Sequence, residues 1–162
     1  MARTGLVLDS AGLIVLARLQ LLAGVSQVFG PLAVPTAVLT ETAVGDRAGA
    51  LEIRQAVDGE LLTEMACNPD PATGLGLGES AAIGLARQID APVLLDDRQA
   101  RTVATIGGVQ VIGTLAVLVG LKEAGSIAQV APILVQLRAL GFRMSDGLMA
   151  TVLRGAGEAP DS

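Results

Sequence analysis

The stretch LVLDSAGLIVLARL, residues 6–19, joins a short apolar run to a longer apolar segment through a single acidic residue, Asp9. Leu6, Val7 and Leu8 read as a strand buried on both faces, because such strands show continuous apolar runs rather than alternation. Leu13 to Leu22 is apolar nearly all round, with Arg18 and Gln20 as its polar members, and predicts a largely buried helix. A buried strand running straight into a buried helix is the repeating unit of α/β folds.

The unit recurs along the chain. Leu32 to Val34 predicts a second strand; Pro35, favoured in the first turn of a helix, then opens a helix to about Ala43 that presents Glu41. A more polar helix over about 48–57 and a strand over 61–65 follow. Residues 68–78 are loop-like. Gly78 opens the helix GESAAIGLARQI, with Glu79 in the first turn, where the helix dipole favours a carboxylate. The apolar run 91–95 ends at Asp96-Asp97, and the helix after it carries Arg98 and Arg101. A strand over 109–112 leads to Gly113-Thr114, with Thr114 as a helix N-cap. Helices over about 131–140 and 145–153 close the pattern. The expected fold is a three-layer α/β/α sandwich around a parallel sheet, one domain over 1–154, with a frayed tail over 155–162.

Composition narrows the chemistry. The 162 residues are 51% hydrophobic and 17% charged, with no His, no Trp, no Tyr and a single cysteine, Cys67. The missing imidazole removes His-based triads and His-ligated zinc. One cysteine removes disulfide frameworks, and Cys67 reads as a small apolar filler. The net charge of −5 and pI of about 4.6 argue against general polyanion coating, though not against a nuclease whose acidic site holds metal ions. Mean hydropathy is +0.60, and residues 19–40 and 102–121 lack charge, but Gly, Pro, Gln and Ser break both stretches. Asp9 interrupts the apolar start, and no cleavage signal follows it. No membrane association and a cytoplasmic location are expected.

Carboxylates remain as the reactive groups. Sites in open α/β sheets form beyond the carboxyl ends of the strands. Asp9 and Asp96 fall at such ends, and Glu41 and Glu79 lie on helices that start near them. Converging carboxylates repel one another unless cations lie between them, and an all-oxygen ligand set selects Mg²⁺ or Mn²⁺. Each residue also has a plain structural reading: Asp9 or the Asp96-Asp97 pair as helix caps, Glu41 and Glu79 as solvated helix residues. Arg98 and Arg101 either contact a phosphate backbone or pair with Asp97 or Glu79. GLGLGE, residues 74–79, lacks the pattern of a nucleotide cradle.

The segments LVLDSAGLIVLARL, VPTAVLTETA (34–43), GLGESAAIGLA (76–86), VLLDDRQARTVA (93–104), VQVIGTLAVLVGLKEAG (109–125) and LVQLRALGFRMSDGLMATVL (134–153) together resemble PIN-like domains. They are most similar to a prokaryotic subgroup of uncharacterised, predicted nucleic acid-binding members, over roughly residues 5–154. The resemblance implies a parallel sheet between helices and an acidic cluster that binds Mg²⁺ or Mn²⁺. It also implies an endoribonuclease acting on single-stranded RNA to leave 5′-phosphate and 3′-hydroxyl ends, as in toxins of toxin–antitoxin pairs. The family's acidic positions fall on Asp9, Glu41, Glu79 and either Asp96 or Asp97, with Asp96 favoured as the residue that ends the strand. The hydroxyl after the first Asp is Ser10, which would orient Asp9 or a phosphate. The chain departs from many toxin-type members in having Ala11 where they carry Asn, and in reading Leu-Asp-Asp-Arg where a Thr commonly precedes the Asp. The expected partners are an RNA substrate, a second copy of the chain (because the helices around 13–22 and 115–121 look more apolar than one core needs) and an antitoxin protein.

Overall fold

The computed structural model describes residues 5–70 and 73–158. Two compact units divide the chain, Met1–Thr114 and Leu115–Ser162. The first holds five short strands, β1 (Leu6–Leu8), β2 (Leu32–Pro35), β3 (Leu62–Met65), β4 (Val93–Leu94) and β5 (Val111–Ile112). All pair in parallel, in the order β3-β2-β1-β4-β5. The helices between them are α1 (Ser10–Arg18), α2 (Leu22–Phe29), α3 (Thr36–Thr42), α4 (Ala50–Asp58), α5 (Leu77–Ile89) and α6 (Arg98–Ile106).

Alternate strand residues feed opposite layers. Val7, Ala33 and Val93 face one core with Ala82, Ile83 and Ala86 of α5 and Ala100 and Ala104 of α6. On the other face Leu94 lies against Gly12 of α1, where a Cβ would come within 2.5 Å of the leucine methyl, so glycine alone lets α1 sit this close. α1 packs in turn on α3 and α4. The expected three-layer α/β/α architecture is therefore present. Strand order reverses between β1 and β4, and the crevice at such a switch point, beyond the carboxyl ends of the strands, is where sites form.

The apolar stretch 13–22 is not one helix. α1 ends at Arg18, Gln20 adopts a left-handed φ of 58°, and α2 sets off at 115° to α1. The Leu21 amide bonds the Leu16 carbonyl and the Gln20 amide bonds Ala17, the pair of bonds that closes a Schellman end. Pro35 also differs from expectation, ending β2 and standing before the first turn of α3 rather than in it. No single helix among the described residues is long and apolar enough to cross a membrane. The apolar side chains that prompted the expectation of a dimer, Leu13, Leu16, Leu118 and Leu121 among them, are buried in the chain itself.

α7 (Thr114–Glu123) begins at the boundary, and the second unit adds α8 (Ala131–Ala139) and α9 (Asp146–Gly155). Gly155, the first residue of the expected tail, closes α9. Glu158 accepts bonds from the Val130 and Ala131 amides at 2.7 and 3.1 Å and from Lys122 at 2.9 Å. These donors, the Val130 amide first, hold its carboxyl below the usual range. Residues 159–162 lie outside the described residues.

Candidate functional site

Asp9 follows β1 directly and N-caps α1, its Oδ1 accepting the Gly12 amide at 2.8 Å. The capping role read from the sequence is real, but it does not exhaust the residue. Asp9 is only 3% exposed. Burial, and then the nearby charges of Asp96 and Glu79, push its carboxyl up to about 7 from 3.8, against the opposing pull of the Gly12 amide. An ordinary surface cap has no such burden.

Glu41, on α3, is held from two sides. Ser10 donates its hydroxyl to Oε2 at 2.7 Å, and the Gly78 amide in the first turn of α5 donates to Oε1 at 3.1 Å. Ser10 therefore orients Glu41, where the sequence reading had it orienting Asp9 or a phosphate. A Cβ on Gly78 would lie 2.6 Å from the Ser10 hydroxyl and 3.1 Å from Glu41, so the glycine is what lets α5 approach. Glu79, the next residue, has its carboxyl raised by burial first and then by the charges of Asp97 and Glu41.

Asp96 follows β4 by two residues. Thr114 clamps it through the backbone amide to Oδ1 at 2.9 Å and the hydroxyl to Oδ2 at 2.6 Å. The fully buried Thr114 thus spends its hydroxyl proton on Asp96, and α7 starts at Thr114 itself. Nothing local in the sequence signals this partnership across 18 positions. Thr114→Val keeps the shape and deletes the hydroxyl. It is expected to lose about 1–2 kcal/mol, read as a lower melting temperature, while Thr114→Ser stays near the parent. Equal melting of the valine variant and the parent would remove the clamp's importance. Asp97 caps α6, accepting the Ala100 amide at 3.0 Å, as the plain structural reading had it.

Mutual electrostatic influence thus links Asp96, Asp9, Glu79, Asp97 and Glu41 at the carboxyl edge of the sheet. The ion pairs among the described residues are Lys122–Glu158 and Arg138–Asp146. Arg98 and Arg101 are exposed on α6 beside the acids and pair with neither Asp97 nor Glu79. Among the described residues none of these acids forms an ion pair, although the Arg101 guanidinium and the Asp96 carboxylate both lie against Gly113. Hard divalent cations take such all-oxygen donors, so the chemistry of the set fits Mg²⁺ or Mn²⁺. Among the described residues, no three carboxylates stand together at metal-holding spacing.

A family model described as a PIN domain matches residues 5–158. No curated protein matches the chain.

Proposed function

The chain belongs to the PIN-domain family, a nuclease-type module for nucleic acids, and from that premise we propose that it is a divalent-cation-dependent ribonuclease cutting single-stranded RNA. One observation carries the reading: a carboxylate buried at the switch point, Asp9, feels the charges of Asp96 and Glu79, and none of these acids is held in an ion pair among the described residues. That arrangement is unfavourable in the bare protein and favourable around a cation.

In this reading Asp9, Glu79 and Asp96 hold Mg²⁺ or Mn²⁺, and Glu41 and Asp97 complete the acidic wall. When bound, the ion supplies charge neutralisation at the phosphoryl oxygens and a more acidic water. The chain's own residues position the parts. Ser10 and Gly78 fix Glu41, and Thr114 fixes Asp96 with one lone pair of each oxygen still free. The guanidinium groups of Arg98 and Arg101, in no ion pair among the described residues, hold the phosphodiester beside the acids. Water adds to phosphorus, the bond to the 3′ oxygen breaks, and that oxygen leaves with a proton, giving 5′-phosphate and 3′-hydroxyl ends.

That no three carboxylates among the described residues stand at metal-holding spacing favours a second reading, a PIN-like module that binds RNA or protein without cutting. One experiment separates the two. A mixed-sequence single-stranded RNA is incubated with the purified protein and Mn²⁺, with and without EDTA. Cleavage abolished by EDTA is expected; folded protein that leaves the RNA intact supports the binding module instead.

A further inference from the structure

An open groove of about 500 Å³ starts at Asp96 and runs along α6, lined by Arg98, Arg101, Thr102, Thr105 and Ile106. These residues follow the i, i+3, i+4, i+7, i+8 spacing of one helix face. The opposite face, with Ala100 and Ala104, is buried against the sheet. The groove is therefore a built feature: the core fixes the helix and turns this face outward.

Its chemistry is one-sided. Two guanidinium groups and two threonines line it, the Thr102 hydroxyl donating to the Arg98 carbonyl, and among the described residues Asp96 at its mouth is the one acid in the lining. Neither arginine is consumed by an ion pair among the described residues. In a chain of net charge −5, such a cationic strip stands out against its surroundings. From Arg98 to Ile106 the helix rises about 12 Å, enough for more than one phosphate group. At the far end Ile106 is 83% exposed, one of the few large apolar side chains left in solvent. The chain has no Trp or Tyr for bases to stack on, and an exposed isoleucine offers a base an apolar contact, without the flat π-face of an aromatic ring.

We propose that this face of α6 is the exit path of the substrate: a single strand leaves the acidic site over Arg98 and Arg101, with a further phosphate near Thr105 and a base against Ile106. The direction of the path rests on the nuclease reading; the existence of the site does not. A polyanion with unpaired bases fits both the cationic strip and the apolar end, whereas poly-glutamate, which carries no apolar side chain, fits only the strip.

The test measures binding of a fluorescein-labelled, mixed-sequence single-stranded RNA by anisotropy in EDTA, so that no cleavage intervenes. Thr105→Glu places a like charge in the groove at an exposed position and is expected to weaken binding about tenfold. Leu51→Glu, on α4 at the other face of the sheet and 57% exposed, is the charge-matched control and is expected to bind as the parent does. Replacing Arg98 and Arg101 together by Ala is expected to flatten the dependence of log affinity on log salt by about 1.4, at about 0.7 per phosphate of a single strand. Ile106→Ala is expected to weaken binding without changing that slope.

Parent-like binding by Thr105→Glu overturns the path, as does competition by poly-glutamate as effective as that by unlabelled RNA. If the parent cuts RNA with Mn²⁺ while Thr105→Glu binds and cuts normally, the nuclease reading stands and the path falls. If the parent cuts nothing but the anisotropy changes appear, the path stands and the nuclease reading falls.

Discussion

Asp9→Asn is expected to lose metal-dependent RNA cleavage by about a thousandfold and, in the same protein, to melt at a higher temperature than the parent in EDTA at pH 8. The two effects share one cause. Asn keeps an Oδ1 acceptor for the Gly12 amide, so the cap of α1 survives. What disappears is a negative charge held at 3% exposure beside Asp96 and Glu79. Raising the carboxyl from 3.8 to about 7 corresponds to an electrostatic burden of about 4 kcal/mol above neutral pH, and a large share of that is expected back as stability. A residue that only capped a helix would show neither change, because Asn caps as well as Asp. Activity lost with stability gained is the mark of a group strained for function. Cleavage within tenfold of the parent, measured on protein free of contaminating nuclease, would exclude Asp9 from the reaction.

The sequence made the frame of this site legible and its wiring much less so. Strands buried on both faces must be apolar throughout, so a carboxylate that ends one, as Asp9 does, stands out at once. Asp96, Glu41 and Glu79 were found from the same logic, since parallel strands put all their carboxyl ends on one edge. The corner between α1 and α2 was hidden for a specific reason. Helix ends are read from glycine, yet the left-handed residue there is Gln20, and Glu60 and Asp90 do the same work after α4 and α5. With no glycine to stop it, the apolar stretch from Leu13 reads as one helix. Hydrogen bonds between distant elements left still less trace. Thr114 looks like a cap because it begins a helix, and only the fold brings it to Asp96. Ser10 sits next to Asp9 in the chain but gives its proton to Glu41 on another helix. That Arg98 and Arg101 form no ion pair with Asp97 or Glu79 was not legible either, since acids within a few positions of them made pairing the natural expectation. What the sequence could state was which groups meet at the sheet edge. Which of them spend their lone pairs and protons on one another is a property of packing.

The metal-free protein is expected to lose stability as pH rises from about 4 to about 7, and a divalent cation is expected to reverse that loss. The sign follows from Asp9, whose carboxyl titrates at about 7 when folded and near 3.8 when unfolded. Between those values the unfolded chain has released a proton that the folded chain still holds. Stability therefore falls with rising pH through this window and levels off above about 7. Glu79, raised by burial and by Asp97, acts in the same direction. Glu158, whose carboxyl is lowered, acts oppositely, losing its contribution only as pH falls below the ordinary glutamate value of 4.5. Melting curves at pH 5, 6, 7 and 8 in EDTA are expected to show the decline, and Asp9→Asn is expected to flatten most of it. At pH 8, Mn²⁺ at a hundredfold excess over its dissociation constant adds about 2.7 kcal/mol, or roughly 5–10 °C in melting temperature for a chain of this size. At pH 5 the ion must displace the proton that the folded chain holds on Asp9, so the same concentration is expected to shift melting far less. In Asp9→Asn the Mn²⁺ shift is expected to be small at every pH. An equal shift at pH 5 and pH 8, or in the parent and the variant, would place the ion somewhere other than this acidic edge, and the nuclease reading would lose the charge imbalance on which it rests.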